Sequence, residues 1–147
     1  MPGIDACLSE AMSLPGALGA AIVDWTSGLA LGTAGESPNG DHEATAAETA
    51  ELARAAAEYS AFAPTAAMPP TAMAPTTAAR ISAGESDKGP PVEDLIVTTR
   101  TGYHIISFVE TTFDSSVFLH LWLDRDSGNL ALARIRLGRL AERLVLE

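Results

Sequence analysis

The chain has 147 residues, of which 47% are hydrophobic, so it suits a single folded domain and is not generally disordered. Its 19 acidic and 9 basic side chains give a net charge of −10. This charge disfavours contact with phosphate backbones, and nucleic acid is excluded as an expected partner.

The first 35 residues predict a short amphipathic helix followed by a β-hairpin. Apolar residues recur at helical spacing before the helix-breaking pair Pro15-Gly16. These apolar positions are Ile4, Cys7, Leu8, Ala11 and Met12. Two apolar runs, 17–24 and 29–33, flank a turn that ends in Gly28 and requires a positive φ at this glycine. The two runs are expected to pair as strands.

Residues 43–62 form the strongest predicted helix, because they are rich in alanine, glutamate and leucine and contain no glycine or proline. Asn39 or Asp41 is expected to cap its first turn by accepting hydrogen bonds from free amides. Arg54 lies at helical spacing from acidic residues on both sides, which favours weak ion pairs with Glu51 and Glu58.

This helix has two apolar faces, and each receives a different interpretation. The bulkier face is expected to cover a sheet and contains Leu52, Ala56, Tyr59 and Phe62. The other face is a row of alanines at Ala46, Ala50, Ala53, Ala57 and Ala61. Small side chains let a second helix approach closely, so this row is interpreted as a dimer interface. The alternative is that the alanines reflect only a GC-rich genome and a high helix propensity.

Residues 63–91 are rich in alanine, proline and threonine and cannot form a packed core. Prolines 64, 69, 70 and 75 exclude a regular helix in this segment. The segment is therefore interpreted as an inserted loop or tether within one domain that spans residues 1–147.

From Val92 onward the hydrophobic pattern changes to a period of two, which is typical of strands. Strands are expected at 94–99, 103–109 and 117–123, and a helix at 130–144. The last strand is apolar on both faces, which places it between two layers. The element order α-β-β-α-β-β-β-α therefore predicts a three-layer α+β fold. Its five-stranded antiparallel sheet carries the two terminal helices on one face and the middle helix on the other.

Cysteine content and the N-terminal composition predict a cytoplasmic protein. Cys7 is the only cysteine, which rules out an intramolecular disulfide. Acidic Asp5 and Glu10 precede the apolar run at 14–23, and no basic residue occurs before Arg54, so no secretory signal is expected. Apolar stretches are also shorter than the roughly 18 residues of a membrane-spanning helix, and no membrane insertion is expected.

No motif of the chain predicts a reactive centre. The three histidines lack the spacing of a metal site, although His104 and His120 fall on adjacent predicted strands where they can approach each other. The glycine-rich stretch at 32–40 lacks the GK[ST] ending of a phosphate loop, and its acidic neighbours would repel phosphate. Neither a metal, a cofactor nor enzymatic activity is therefore expected.

Two segments resemble the roadblock / dynein light chain family, particularly its actinobacterial members. The first is the hairpin at 19–30, with Gly19-Ala20-Ala21-Ile22-Val23-Asp24 followed by Ser27-Gly28-Leu29-Ala30. The second is the ending Gly128-Asn129-Leu130-Ala131-Leu132-Ala133-Arg134. The resemblance covers roughly residues 3–62 and 92–146. The long segment at 63–91 departs from it, because the family has a shorter connection there.

The resemblance implies a non-enzymatic domain that forms dimers, often by joining two sheets edge to edge and packing the middle helices together. It also implies a regulatory or scaffold role for a small Ras-like GTPase. The candidate surface for such a partner consists of Arg54, Arg100, Arg136, Arg139 and Arg143. The alternative is a profilin-like or sensor-type domain that binds a small ligand among Trp25, Tyr103, Phe108 and Trp122.

Overall fold

The computed structural model describes residues 2–62, 92–109 and 116–145. The described helices are α1 (Pro2–Met12), α2 (His42–Glu58) and α3 (Leu130–Val145). The described strands are β1 (Ala17–Asp24), β2 (Leu29–Gly35), β3 (Asp94–Thr98), β4 (Gly102–Val109) and β5 (Val117–Asp124). The predicted tether at 63–91 lies outside the described residues. No helix in the described part of the chain is both long enough and apolar enough to cross a membrane.

The five strands form one antiparallel sheet in the order β2-β1-β5-β4-β3. Helices α1 and α3 pack on one face and α2 on the other. The predicted fold class is therefore confirmed, including the assignment of helices to the two faces. Because β5 lies at the centre, between β1 and β4, residues on both of its faces are buried, as the apolar residues on its two faces predict.

The core under α1 and α3 contains the bulkier aliphatic side chains. Ile22, Ile105, Leu121 and Leu123 are each 0% exposed there, and they meet the inward faces of the two helices. Cys7 lies in the same cluster, and burial raises the pKa of its thiol to about 11. A thiol that is neutral at physiological pH behaves as a small apolar group, so Cys7 has a structural role.

On the other face of the sheet, α2 packs through its alanines. Ala46, Ala50 and Ala53 are 1, 1 and 0% exposed and contact a cluster that includes Phe118 and Ile106. These three alanines lie in the core of the chain and not on an exposed row, which corrects their predicted placement. Only the last two members of the row, Ala57 and Ala61, remain partly or fully accessible.

The bulky residues of the predicted helix, in α2 and in the turn after it, also lie opposite to their predicted position. Leu52 is 43% exposed, Tyr59 60% and Phe62 49%, so the face expected to cover the sheet is turned outward, apart from Ala56. The reason is steric: the sheet already supplies large side chains at Phe118 and Ile106, and a helix that meets them with alanine packs without a clash.

Helix α2 begins as predicted and ends earlier than predicted. The carboxylate of Asp41 accepts hydrogen bonds from the amides of Glu43 and Ala44, which makes Asp41 the cap. At the other end, Tyr59 adopts an extended conformation, and a short 3₁₀ turn covers Ser60–Phe62. No glycine or proline marks this end, so a prediction from composition continues the helix to residue 62.

Gly16 and Gly128 let the loop before β1 and the loop after β5 lie in contact at one end of the sheet. The backbone carbonyl of Gly16 accepts a hydrogen bond from the amide of Asp124 at 2.7 Å. Gly16 has φ +79°, and a Cβ atom added to it would lie 2.5 Å from the backbone of Gly128. Only glycine satisfies both constraints. In the hairpin, Gly28 has φ +77°, as its turn position predicts.

Candidate interaction surfaces

The outward face of α2 is acidic. The helix carries four glutamates, Glu43, Glu48, Glu51 and Glu58, and all four are exposed. Its one basic residue, Arg54, does not balance them at the surface, because its guanidinium donates to the backbone carbonyls of Trp25 at 2.9 Å and Thr26 at 3.4 Å.

Arg54 therefore fastens α2 to the β1–β2 hairpin. The predicted ion pairs of Arg54 with Glu51 and Glu58 do not form in the structure, whereas its place in a partner surface stays a prediction. Local sequence patterns do not predict these two hydrogen bonds, because the two carbonyl groups lie 29 and 28 residues earlier in the chain.

Strand β3 is an edge of the sheet, and within the described residues it pairs only with β4. Ile96 and Val97 are adjacent and therefore point to opposite faces, and they are 39% and 38% exposed. The opposite edge, β2, also carries exposed apolar side chains, with Leu29 at 64% and Leu31 at 49%. Both edges thus present a row of backbone groups beside exposed apolar residues.

The outward face of α3 is basic, in contrast to that of α2. Arg134 binds Asp94 through two nitrogens, at 2.6 and 3.3 Å, and Arg143 forms an ion pair with Glu10. The hydrogen bond to Asp94 raises the pKa of Arg134 above its ordinary value.

The two other arginines of α3, Arg136 and Arg139, are exposed and form no ion pair with the described residues. Ile135 lies beside them and is 56% exposed. The sequence prediction included both arginines as candidate contacts but missed Ile135. An isoleucine at an outward helical position between arginines is the signal that identifies it.

Arg100 is exposed in the turn between β3 and β4, as its position in the sequence predicts. The neighbouring Arg125 supports this turn by donating to the carbonyl of Thr99 at 2.9 Å. Its guanidinium also lies 5.9 Å from the ring centre of Tyr103. Arg125 is thus a structural residue, whereas Arg100 is available at the surface.

The structure brings His104 and His120 together, as their positions on adjacent strands allow. Nδ1 of His104 lies 3.0 Å from Nε2 of His120, and the rings are stacked with centroids 5.2 Å apart. Trp122 continues the stack, with its ring centroid 6.2 Å from that of His104. Burial lowers the pKa of His104, and burial together with the like charge of His104 lowers the pKa of His120 to about 3.

The two rings therefore bind each other as neutral groups. Within the described ranges, no three histidine, cysteine or acidic side chains are arranged to hold a metal ion.

The aromatic residues proposed to line a ligand pocket do not meet. Tyr103 packs against the core under α1 and α3, whereas Trp25 and Phe108 pack against the core under α2. Trp122 stacks on His104. A groove of about 690 Å³ between α3 and the start of β3 contains Phe108 alone of the four. The predicted aromatic ligand pocket is therefore wrong.

Comparison with solved structures identifies the fold. MglB from Myxococcus xanthus aligns with a TM-score of 0.66 at 16% identity, covering 99% of this chain and 86% of that chain. The chain has the roadblock/LC7 fold. A roadblock/LC7 domain from Streptomyces avermitilis aligns with a TM-score of 0.54 at 18% identity, covering 95% and 92%. A structure described as MglB with tetrameric arrangement aligns with a TM-score of 0.63 at 15% identity, covering 99% and 90%.

These alignments confirm the predicted resemblance at the level of the roadblock/LC7 fold. No protein-family model matches the sequence, and no curated protein matches it either.

Proposed function

We propose that this roadblock/LC7 domain is a non-enzymatic, dimeric platform that binds and regulates a small Ras-like GTPase in the cytoplasm. The fold supports this proposal, because roadblock domains are associated with such GTPases. The solved structure described as MglB with tetrameric arrangement also supports self-association of this fold. The observation that carries the proposal is the edge strand β3, which has exposed apolar side chains on both sides.

The edge of β3 replaces the alanine row as the proposed dimer interface. Two copies of β3 that pair antiparallel about a two-fold axis extend the sheet and satisfy the outer backbone groups of both strands. Ile96 is the middle residue of Asp94–Thr98, so a centred pair places it opposite its own copy. The two exposed isoleucines then form the middle of the contact.

Ile96→Lys is expected to convert the dimer to a monomer, because the change places two like charges opposite each other at the centre of the interface. Size-exclusion chromatography with light scattering measures the result, and the dimer should weaken about tenfold or more. Leu31→Lys is the matched control, since it adds the same charge to the exposed edge β2. A dimer that survives Ile96→Lys but not Leu31→Lys would place the interface at β2.

Regulation of a GTPase requires a difference in affinity between its nucleotide states. A platform that binds the GTP-bound and GDP-bound forms equally cannot shift their populations, however tightly it binds. Purified Ras-like GTPase loaded with a GTP analogue or with GDP is therefore expected to bind with different affinities. Equal affinities would contradict regulation and leave only a scaffold role.

Arg100 is exposed in the turn next to the β3 edge, and we propose that it makes a polar contact with this partner. Arg100→Ala is accordingly expected to weaken GTPase binding while the dimer persists. The dimer is measured by light scattering on the same sample.

A further inference from the structure

Strand β2 contains one residue more than β1 can pair with. Ile22 lies opposite Gly32. The next residue of β1, Val23, lies opposite Ala30, so Leu31 is left without a partner in β1. A single extra residue of this kind is a β-bulge, which bends its strand and interrupts the ladder of hydrogen bonds. The bulge lies at an edge of the sheet, because β2 pairs only with β1 among the described strands.

The packing of β2 shows the same extra residue. In a regular strand, residues two apart share a face. Gly32, however, faces α1, since a Cβ atom added to it would lie 2.7 Å from Cγ2 of Ile4. Ala30 packs on the other side of the sheet, against the cluster under α2. The strand therefore changes face between these two residues, as the extra Leu31 requires.

Apart from the bulge, β2 lacks the features that keep edge strands from pairing with other chains. Charged side chains and prolines commonly provide this protection, and β2 contains neither. It is also the longer of the two edge strands, with seven residues against five in β3. Leu29 is 64% exposed, so the helices do not cover this edge. The bulge is the feature of β2 that opposes pairing with a second chain.

We infer that the bulge at Leu31 keeps β2 from pairing with another copy of this chain and so limits assembly to the β3 dimer. This inference rests on the proposed dimer, which uses one edge of each sheet and leaves a β2 edge at both ends. If β2 could pair as well, every dimer would join further dimers at both ends and the sheet would extend without limit. A strand that is bent and interrupted near its middle cannot align with a copy of itself.

Deletion of Leu31 tests the inference, because it removes the bulge and preserves the pairs beside it. Ala30 and Gly32 become neighbours that can still lie opposite Val23 and Ile22, on the same faces of the sheet. The natural chain should sediment as a dimer. The deletion variant should instead show an average mass that passes that of the dimer and rises with protein concentration. Circular dichroism verifies that each variant folds.

Two further variants identify the contact. Leu31→Ala keeps the extra residue and removes the exposed leucine side chain, so it should remain a dimer. The deletion combined with Ile96→Lys has only the β2 edge left for pairing, so its assembly should stop at a dimer. Growth of either of these two variants beyond the dimer would overturn the inference. So would a folded deletion variant whose mass stays that of the natural chain.

A bulge placed in β3 tests the same principle, and it decides the question if the deletion variant does not fold. One alanine inserted between Ile96 and Val97 gives β3 one residue more than β4 can pair with. The chain should then lose its dimer and sediment as a monomer. An insertion variant that folds and still forms a dimer sensitive to Ile96→Lys would show that a bulge does not prevent pairing at these edges, which contradicts the inference.

The natural chain separates this inference from the proposed dimer. A monomeric natural chain would contradict the β3 dimer and not the role of the bulge. The deletion variant should in that case pair through β2 alone and form a dimer. A folded deletion variant that also stays monomeric would contradict both proposals.

Discussion

Ala53→Glu is expected to unfold the chain under conditions in which Ala47→Glu remains folded. Ala53 is 0% exposed between α2 and the sheet, where its neighbours in the core are apolar. A carboxylate at this position loses its hydration and gains no partner, which costs about 3–5 kcal/mol. Domains of this size are typically stable by about 5–15 kcal/mol, so the change removes much of the total. Urea unfolding followed by circular dichroism measures the loss.

Ala47→Glu is the matched control, because it makes the same chemical change at an exposed position of the same helix. Its effect should stay within about 0.5 kcal/mol, as is usual for surface substitutions. The same two variants also test whether the alanine row lies in the core or at a dimer interface. An Ala53→Glu protein that folds normally but is monomeric would place Ala53 at a dimer interface and contradict its assignment to the core.

The elements of the fold follow from the sequence because each has a strong local signal. Gly28 sets the hairpin turn, Asp41 caps α2, and the doubly apolar β5 must lie inside a sheet. The orientation of α2 does not follow in the same way. A helix with both an alanine face and a bulkier face buries the one that complements the sheet. That choice depends on Phe118 and Ile106, which lie more than 40 residues further along the chain.

The candidate surfaces, like the orientation of α2, can be predicted from the sequence only in part. Exposure of Arg136 and Arg139 follows from helical periodicity, and both arginines lie at the surface. The inward engagement of Arg54 depends on carbonyls of a distant turn, and the exposure of Ile96 depends on β3 being the last strand of the sheet. Both facts come from topology, which local patterns do not contain.

The His104–His120 pair is expected to make the protein less stable as the pH falls below about 6.5, the pKa of histidine in an unfolded chain. Burial and the neighbouring rings hold the pKa of His120 at about 3 in the folded state. Below pH 6.5 the unfolded chain therefore binds a proton that the folded chain excludes, which favours unfolding. Stability from this group is complete above that pH, and at pH 5 about 2 kcal/mol of it is lost.

His120→Gln removes the titrating ring and keeps a polar side chain beside Nδ1 of His104. The difference in unfolding free energy between pH 7 and pH 5 should then be smaller than in the natural chain by about 2 kcal/mol. His42→Gln is the comparison variant: the charge of His42 is the smallest of the three causes that lower the pKa of His120, so this change should alter the pH dependence much less than His120→Gln does. If His120→Gln leaves the pH dependence unchanged, the folded protein must accept a proton at His120. The folded pair would then carry a proton at pH 5, and the 3.0 Å contact would be a hydrogen bond from the charged ring of His120 to the neutral ring of His104.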